Sequence, residues 1–518
     1  MRIAVVGGGP GGLFLAALVR QADPAVEVTV FERNRADDTF GFGVVFSDRT
    51  LAAIHDADPV LRTGLAERGV HWDAIEVRLK GERVRCGGNG MAAIPRRVLL
   101  GLLQERARAV GAELRFSTTA RLADLDGYDL VVGADGTGST IRAALADRLG
   151  PSTEVAAAKF IWLGTDHPFT GLTFVHERGE HGVFAVHGYP IGDGTSTFIV
   201  ETDERSWRAA GLDAFDVTQP PGPSDLRSRD YLQELFADQI DGRPLLVNNS
   251  RWGNFRTRRT RRWSVLEPRP VALLGDAVHT AHFSVGSGTK MAMEDAVALS
   301  AALVAHPGDL PTALAAYEAA ARPSVDEIQD SARPSLAWWE RFGSYHDHFA
   351  PWQFAYHFLS RSISDARLAR RAPEFVAASH AGWRAEHGGA EPLESSLVVG
   401  GRTLPDRRVA VEGWAFRGAD GAALPAARLL APDDEAGLAA AAARLDGLVG
   451  GGAAVVAVHG GTAFTRTLLT ERVRMHHGLP ALLVDPDLDH DRAVTAVLSG
   501  RTDLVGAEPA TVAGWHRP

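Results

Sequence analysis

Ile3-Ala-Val-Val-Gly7-Gly-Gly9-Pro-Gly-Gly12-Leu-Phe-Leu-Ala-Ala-Leu-Val-Arg20, followed by Val26-Glu-Val-Thr-Val-Phe31-Glu32, is the stretch on which the fold turns. Ile3 to Val6 reads as a short buried strand, Leu13 to Arg20 as a helix and Val26 to Phe31 as a second strand. Two parallel strands need such a crossover. The glycines fall as G-x-G-x-x-G at Gly7, Gly9 and Gly12. The first permits a tight turn, the second lets backbone approach a pyrophosphate, and the third lets helix and strand pack closely. Free N–H groups at the helix start hold the phosphate. Glu32 follows ~20 residues after Gly12, where a carboxylate accepts from ribose hydroxyls.

The remaining composition narrows the class. The chain has 518 residues, 45% hydrophobic and 23% charged, so a whole-chain disordered reading fails. At ~150 residues per domain the length suggests roughly three domains. Lysine and arginine number 54 against 64 acidic residues, a net charge of −10, which disfavours nucleic-acid binding. A single cysteine, Cys86, excludes an internal disulfide and suits a reducing cytosol. No apolar run reaches the ~20 residues that cross a bilayer. One basic residue before an apolar stretch mimics a signal peptide, but six Gly or Pro positions interrupt it and a second strand follows. A cytoplasmic protein is expected.

Further along, Arg96 to Val110 reads as a helix and Asp129 to Gly133 as a buried strand. Lys159 to His167 and Phe174 to Val200 read as antiparallel sheet, and Val271 to Leu274 as a last buried strand before a helix at Met291 to Ala305. Residues 310 to about 378 read as mostly helical. Near His380 aromatics thin out and alanine and glycine rise, which puts a boundary at Ser379 to Glu391.

Two more motifs join the first. One is Asp129-Leu-Val-Val-Gly-Ala-Asp135-Gly136, running to Arg142; the other is Gly275-Asp276-Ala-Val-His279, running to Gly286-Ser-Gly288 and Glu294-Asp295-Ala296. Each alone could be a strand end and a helix cap. Together and in this order they resemble the group A flavoprotein monooxygenases, single-component aromatic hydroxylases that use FAD and NAD(P)H. The resemblance covers residues 1 to about 378. It implies a Rossmann-like α/β FAD-binding domain interleaved with an antiparallel-sheet substrate domain. The implied boundaries are 1–72, 93–157 and 258–378 for the FAD-binding domain with a helical extension, and 73–92 and 158–257 for the substrate domain. It carries Gly7, Gly9, Gly12, Glu32 and Arg33 over to the ADP half of FAD, Asp135 and Gly136 to both cofactors, and Asp276, Gly286 and Gly288 to the ribityl and pyrophosphate. Ile94-Pro-Arg96-Arg-Val-Leu99 resembles the family's I-x-R-x-x-L helix start, with Arg96 on the flavin side.

Phe40 to Asp48, Phe198-Ile-Val-Glu201, Ser206-Trp-Arg208, Arg262-Trp263 and Gly275 to Ala296 look like the aryl-CoA hydroxylase branch. That branch holds salicylyl-CoA 5-hydroxylases and 2-aminobenzoyl-CoA monooxygenase/reductases. His282-Phe283 stands where the wider family has Pro-Pro, and Lys290 where it has Asn. The implied substrates are an aromatic acyl thioester, tethered to CoA or a carrier protein, and molecular oxygen; the implied reaction runs through a flavin C4a-hydroperoxide. Other aromatic or indolic substrates, flavin chemistry without oxygen insertion, and a non-catalytic scaffold remain open, as does a homo-oligomer.

Such chemistry needs no metal and no nucleophilic side chain; the cofactor carries it and the protein orients and excludes water. His282, with Phe283, is the sharpest catalytic candidate: a neutral imidazole there can accept a phenolic proton. The alternative is a histidine that packs or bonds its loop. His279 reads as structural. Val44 on the cofactor side and Phe46 on the substrate side, with Val45 and Ser47 between and beside them, are expected to line the ring systems. His187 and Tyr189 are expected over the substrate from the antiparallel sheet. Arg256, Arg258, Arg259, Arg261 and Arg262 form a cluster suited to a nucleotide tail or to a solvated edge strand.

Residues 391–518 carry a second resemblance. Pro392 to Val411 and Phe464 to Val505 look like the first and last strands of an old-yellow-enzyme-like reductase barrel. A (β/α)₈ barrel takes ~250 residues, about twice what is present. Gly506-Ala507-Glu508 replaces the expected phosphate loop. A shrunken, flavin-free α/β remnant is expected, resembling a degenerate barrel.

Overall fold

The computed structural model describes residues 1–39, 41–217, 222–283 and 288–515. Contacts gather the chain into two compact units, Met1–Glu76 with Asn89–Glu340 and Val77–Gly88 with Arg341–Pro518. No helix among the described residues is long and apolar enough to cross a membrane.

In the first unit a six-stranded sheet runs in the order Ser264–Val265, Val271–Leu273, Leu130–Gly133, Arg2–Val6, Glu27–Phe31, Glu113–Arg115. All neighbours are parallel except the first pair. The helix Pro10–Ala22 makes the first crossover, with Gly9 as its N-cap and Pro10 at its first turn, where a missing N–H costs nothing. Val6 is level with Phe31 and with Gly133, and Gly133 with Leu273. The chain therefore leaves all four strands at one height. Gly7, Glu32, Asp135 and Asp276, distant in sequence, all follow from that edge.

An antiparallel sheet follows, ordered Leu245–Leu246, Pro151–Thr165, Thr195–Thr202, Gly182–Gly192, Leu172–Gly179, with Gly253–Thr260 also paired along Pro151–Thr165. Strand alternation gives it two unlike faces. Ile161, Leu163, Val175, Phe184, Val186, Phe198 and Val200 pack with Leu232 and Phe236 into an apolar core. Each such side chain stabilises the fold by roughly 1.5–3 kcal/mol when removed from water. The other face carries Phe160, Trp162, Phe174, His176, His187, Tyr189, Ile199 and Glu201, placed by registers such as Phe160↔Glu201, His187↔Ile199 and Phe174↔His187. The helix Leu310–Trp339 ends against this face, its Trp339 ring 4.3 Å from that of His187.

The second unit joins segment 77–88 and the helices Phe342–His348, Pro351–Leu359, Asp365–Arg371 and Pro373–Glu386 to an α/β sheet. The sheet is ordered Ala415–Gly418, Arg408–Glu412, Leu504–Ala507, Ala481–Val484, Val456–His459, Ala427–Leu430, and all but the first strand are parallel to their neighbours. Arg408–Glu412 pairs with Leu504–Ala507, and the edge strands Ala415–Gly418 and Ala427–Leu430 do not pair with each other, so the sheet is open and half-barrel-like. The contact division falls after Glu340, ahead of the composition change at Ser379–Glu391. Buried polar contacts account for this: Tyr345 donates to Glu471 at 2.7 Å, His357 lies 3.2 Å from Glu471, and the Asp365 amide donates to Thr495 at 2.8 Å. A cleft of about 610 Å³ lies at the carboxyl ends of the parallel strands, lined by Trp414, His459, Arg466 and Asp485 among others.

Candidate active site

The three glycines of the first turn do different work. Gly7 has φ +117°, and a Cβ there would strike the Ala134 carbonyl; a Cβ on Gly12 would strike the Gly7 carbonyl. These two keep strand, turn and helix together. A Cβ on Gly9 would meet nothing within 4 Å, so the backbone is open on the ligand side. Glu32 accepts from the amides of Gly8 at 2.7 Å and Asn34 at 2.8 Å, which fixes its carboxylate beside the turn. Arg33, next in sequence, is exposed.

Asp135 caps the following helix by accepting from the Thr140 amide at 2.6 Å, while its Oδ1 is buried without a hydrogen bond among the described residues. Gly136, at φ +76°, has no protein atom within 4 Å of a Cβ position. Arg142 ties this motif to the third, donating to the carbonyls of Ala277 and Thr137, each at 2.7 Å. Asp276 follows Gly275, and its carbonyl accepts from the Arg258 guanidinium at 3.1 Å; its carboxyl makes no hydrogen bond among the described residues. Burial pushes that carboxyl above the usual range, against the pull of His279, Arg96 and Arg258. Burial likewise lowers Arg96, while Asp276 and Tyr189 raise it. Gly288 opens the helix Gly288–Ala305 with open space at its Cβ position; Gly286 lies outside the described residues. His279 is a strut: its Nε2 is 2.9 Å from Asp295, which also accepts from the Gly275 amide.

His282 and Phe283 come together with the polar face of the antiparallel sheet. His282 is 2% exposed and stacks on Phe283 at 4.4 Å, with Phe255 edge-on at 4.9 Å. Phe283 packs on Phe160 at 5.1 Å, Trp162 at 6.1 Å and His187 at 5.4 Å. Glu201 closes the group. Its Oε1 lies 3.5 Å from His282 Nε2 and 3.6 Å from His187 Nε2. The result is a cage of half-buried aromatic rings with three buried titratable groups, His187, Glu201 and His282, in its wall. Tyr189 lies on the same face, but its hydroxyl donates to the Gly43 carbonyl at 3.3 Å, and burial pushes it up to about 12.

Residues 1–332 match the FAD binding domain family, well over half of the chain. The chain is a flavoprotein monooxygenase of that family. It is 54% identical to a salicyloyl-CoA 5-hydroxylase of a Streptomyces species over 98% of this chain and 99% of that protein. It is 36% identical to the 3-hydroxy-4-methyl-anthranilyl-[aryl-carrier protein] 5-monooxygenase of Streptosporangium sibiricum, over 66% of this chain and 90% of that one. Among solved structures, the tetrameric form of 2-methyl-3-hydroxypyridine-5-carboxylic acid oxygenase shares the fold, with a TM-score of 0.53 and 19% identity over 70% of this chain and 98% of that chain. The enzyme is a flavin-dependent aromatic hydroxylase with FAD as cofactor and NAD(P)H as reductant.

The residues present fit FAD. The open backbone at Gly9, the Asp276 carboxyl without a hydrogen bond and the orphaned Asp135 oxygen lie around one sheet edge, and each offers what a dinucleotide needs. The expected substrate-side residues divide. His187 and Tyr189 reach the cage face; Phe46 does not. On the strand Gly43–Ser47, Val44 and Phe46 point into the core of the first unit, where Phe46 is 2% exposed, and Val45 turns to the cluster that includes Trp162 and Phe283. The period of two decides this. The arginine cluster divides too: Arg258 is buried and donates to the Asp276 carbonyl, Arg259 pairs with Asp330 at 3.1 Å, and Arg256, Arg261 and Arg262 are exposed. Sequence reasoning missed Glu201 as a site residue, and Phe255 and Trp339 with it. The available signal was a glutamate inside the otherwise apolar Phe198-Ile-Val-Glu201.

Proposed function

We propose that this monooxygenase hydroxylates an aromatic acyl thioester, and that its substrate is salicyloyl-CoA, hydroxylated at ring position 5. The observation that carries the reading is similarity from end to end, 54% identity over 98% of the chain, where the carrier-protein-linked relative matches 66%. The cage supports it. Phe160, Trp162, Phe255 and Phe283 offer ring faces and edges to a planar aromatic, and the flanking imidazoles offer partners to its hydroxyl. FAD, when bound and reduced by NAD(P)H, activates dioxygen and supplies the oxygen atom. Around it the Gly7–Gly12 turn would bind the diphosphate, Glu32 a ribose, and Asp276 with Arg96 the flavin half. The aromatic walls exclude water, and His282 takes up the phenolic proton so that the ring becomes more nucleophilic. The exposed Arg256, Arg261 and Arg262 suit the phosphates of a CoA tail.

We read the second unit's half-barrel-like sheet as a truncated old-yellow-enzyme-like barrel that binds no flavin. Five parallel strands with the first beside the last support that reading. Its cleft lies where parallel sheets take ligands, so flavin content is a fair test. One FAD and no FMN per chain is expected on denaturation; stoichiometric FMN would overturn the remnant reading.

The substrate test is NAD(P)H oxidation with salicylate, salicyloyl-CoA and a salicyloyl carrier-protein thioester, with products identified by mass. A hydroxylated CoA thioester as the preferred product is expected. Faster turnover of the free acid or of the carrier-bound ring would reassign the substrate.

A further inference from the structure

Glu201 is the anomaly of the site. It is 1% exposed, and neither carboxyl oxygen makes a hydrogen bond among the described residues. A buried polar group without a hydrogen bond is rare in folded proteins and calls for a cause. The sheet puts it there deliberately: Glu201 is level with Phe160 on one side and Ala185 on the other, and the small Ala185 leaves room above the strand. Two imidazoles reach the same oxygen, His187 from the neighbouring strand and His282 from the loop after Gly275. The rest of the surroundings is aromatic: Phe160 and Trp162 from one strand, Phe255 from another, and Trp338 and Trp339 from the end of the long helix. The other titratable groups on this face are His176, level with Ala185, Tyr189, and the exposed Arg178, level with Val183 at the far end of its strand. Among the described residues no arginine or lysine offsets the carboxyl, and burial pushes it well above the usual range.

We propose that Glu201 is the positioning residue of hydroxylation, a neutral carboxylic acid whose Oε1 hydroxyl stands between two imidazoles and relays the phenolic proton of the substrate from His282 to His187. One hydroxyl between two ring nitrogens forces unlike tautomers: it accepts from Nε2–H of His282 and donates to Nε2 of His187. When the substrate O–H bond breaks, its electron pair stays on the phenolic oxygen and the proton joins His282 at Nδ1. The His282 Nε2 proton passes to Oε1, and the Oε1 proton passes to His187. The balance is one phenolate and one imidazolium, with Glu201 and His282 neutral again. The cation then lies on His187, whose ring is 4.3 Å from that of Trp339, where an aromatic face stabilises it. The contacts of 3.5 and 3.6 Å need to tighten when substrate fills the cage, as catalytic hydrogen bonds commonly do. The proposal rests on the reading of the substrate as a phenolic thioester.

Glu201→Gln tests it, because an amide keeps the shape and the hydrogen bonds but cannot pass a proton. Wild type is assayed first on salicyloyl-CoA; absence of turnover there overturns the substrate reading and this proposal with it. Given turnover, the variant should retain FAD and a KM within about threefold, while product per NAD(P)H oxidised falls about tenfold or more at neutral pH. Coupling should recover as pH rises above the pKa of the phenol, since an ionised substrate needs no relay. A purely structural role would not give that recovery. Should the variant lose FAD, the absorbance of the bound substrate in wild type decides: the phenolate band should appear on binding at a pH where the free thioester is still neutral. Wild-type coupling in Glu201→Gln, a loss that pH does not restore, or a neutral bound phenol in wild type would each overturn the relay.

Discussion

At Gly9 an added side chain meets open space, while at Gly12 it meets the Gly7 carbonyl. The two substitutions should therefore fail differently. Gly9→Val should yield a folded protein without FAD, because its methyls occupy the pyrophosphate's approach. Gly12→Val should lower soluble yield instead. Flavin absorbance per folded chain checks both, and a yellow Gly9→Val protein would place the cofactor elsewhere. Asp276→Ala removes a carboxyl that makes no hydrogen bond among the described residues, so its cost should appear in FAD retention and not in folding. His282→Ala should lower hydroxylated product by ~10²–10⁴-fold in rate while reducing equivalents leave as hydrogen peroxide; unchanged coupling across neutral pH would make His282 a packing residue. Gly7 and Gly12 were legible because the backbone leaves no room for a Cβ there, and Gly9 because it completes their spacing. Glu201 was not, because a lone glutamate in a strand reads as solvent-facing until the neighbouring strands show that both of its flanks are covered.

At the level of elements, the strand Gly43–Ser47 makes the most specific statement. Its burial alternates, with Val44 and Phe46 in the core and Val45 toward Phe283. Phe46→Ala should destabilise the fold by about 3–5 kcal/mol with little change in KM. Val45→Ala should do the reverse. Urea melts and steady-state kinetics on the same preparations decide; a KM effect confined to Phe46→Ala would mean that the alternation is misassigned. The strand itself and its neighbours were legible from apolar runs and Gly-rich turns. Which face each residue takes was not, since a run of four apolar residues such as Val44 to Phe46 with Gly43 gives no phase. The antiparallel sheet was easier: its long strands alternate against the fixed position of His187.

For the whole molecule, composition marked a change near Ser379, but buried contacts begin the second unit at Arg341 and include residues 77–88. Composition records what is abundant, not what touches what. Truncation after Ser379 would strip Glu471, Arg501 and Thr495 from Tyr345, His357 and Asp365, so the shortened chain should aggregate; a soluble truncated monomer would contradict the division. Burial and then Arg501 hold His357 down to about 4, whereas an unfolded histidine titrates near ~6.5. Between those values the unfolded chain binds more protons, so stability is full above ~6.5 and is lost as pH falls toward 4. The loss should approach about 3 kcal/mol. His380, raised by its hydrogen bond to Asp365, works oppositely, stabilising below ~6.5 and less as pH rises. Melts of wild type and His357→Gln from pH 7 to 4.5 separate the two, and equal slopes would exclude the His357 effect. The central claim is that the cage delivers oxygen to an aromatic thioester. Turnover of salicyloyl-CoA under ¹⁸O₂ tests it most directly. The account predicts one labelled oxygen in the ring of the product thioester; NAD(P)H oxidation that yields only peroxide, or a product whose new oxygen comes from water, would contradict it.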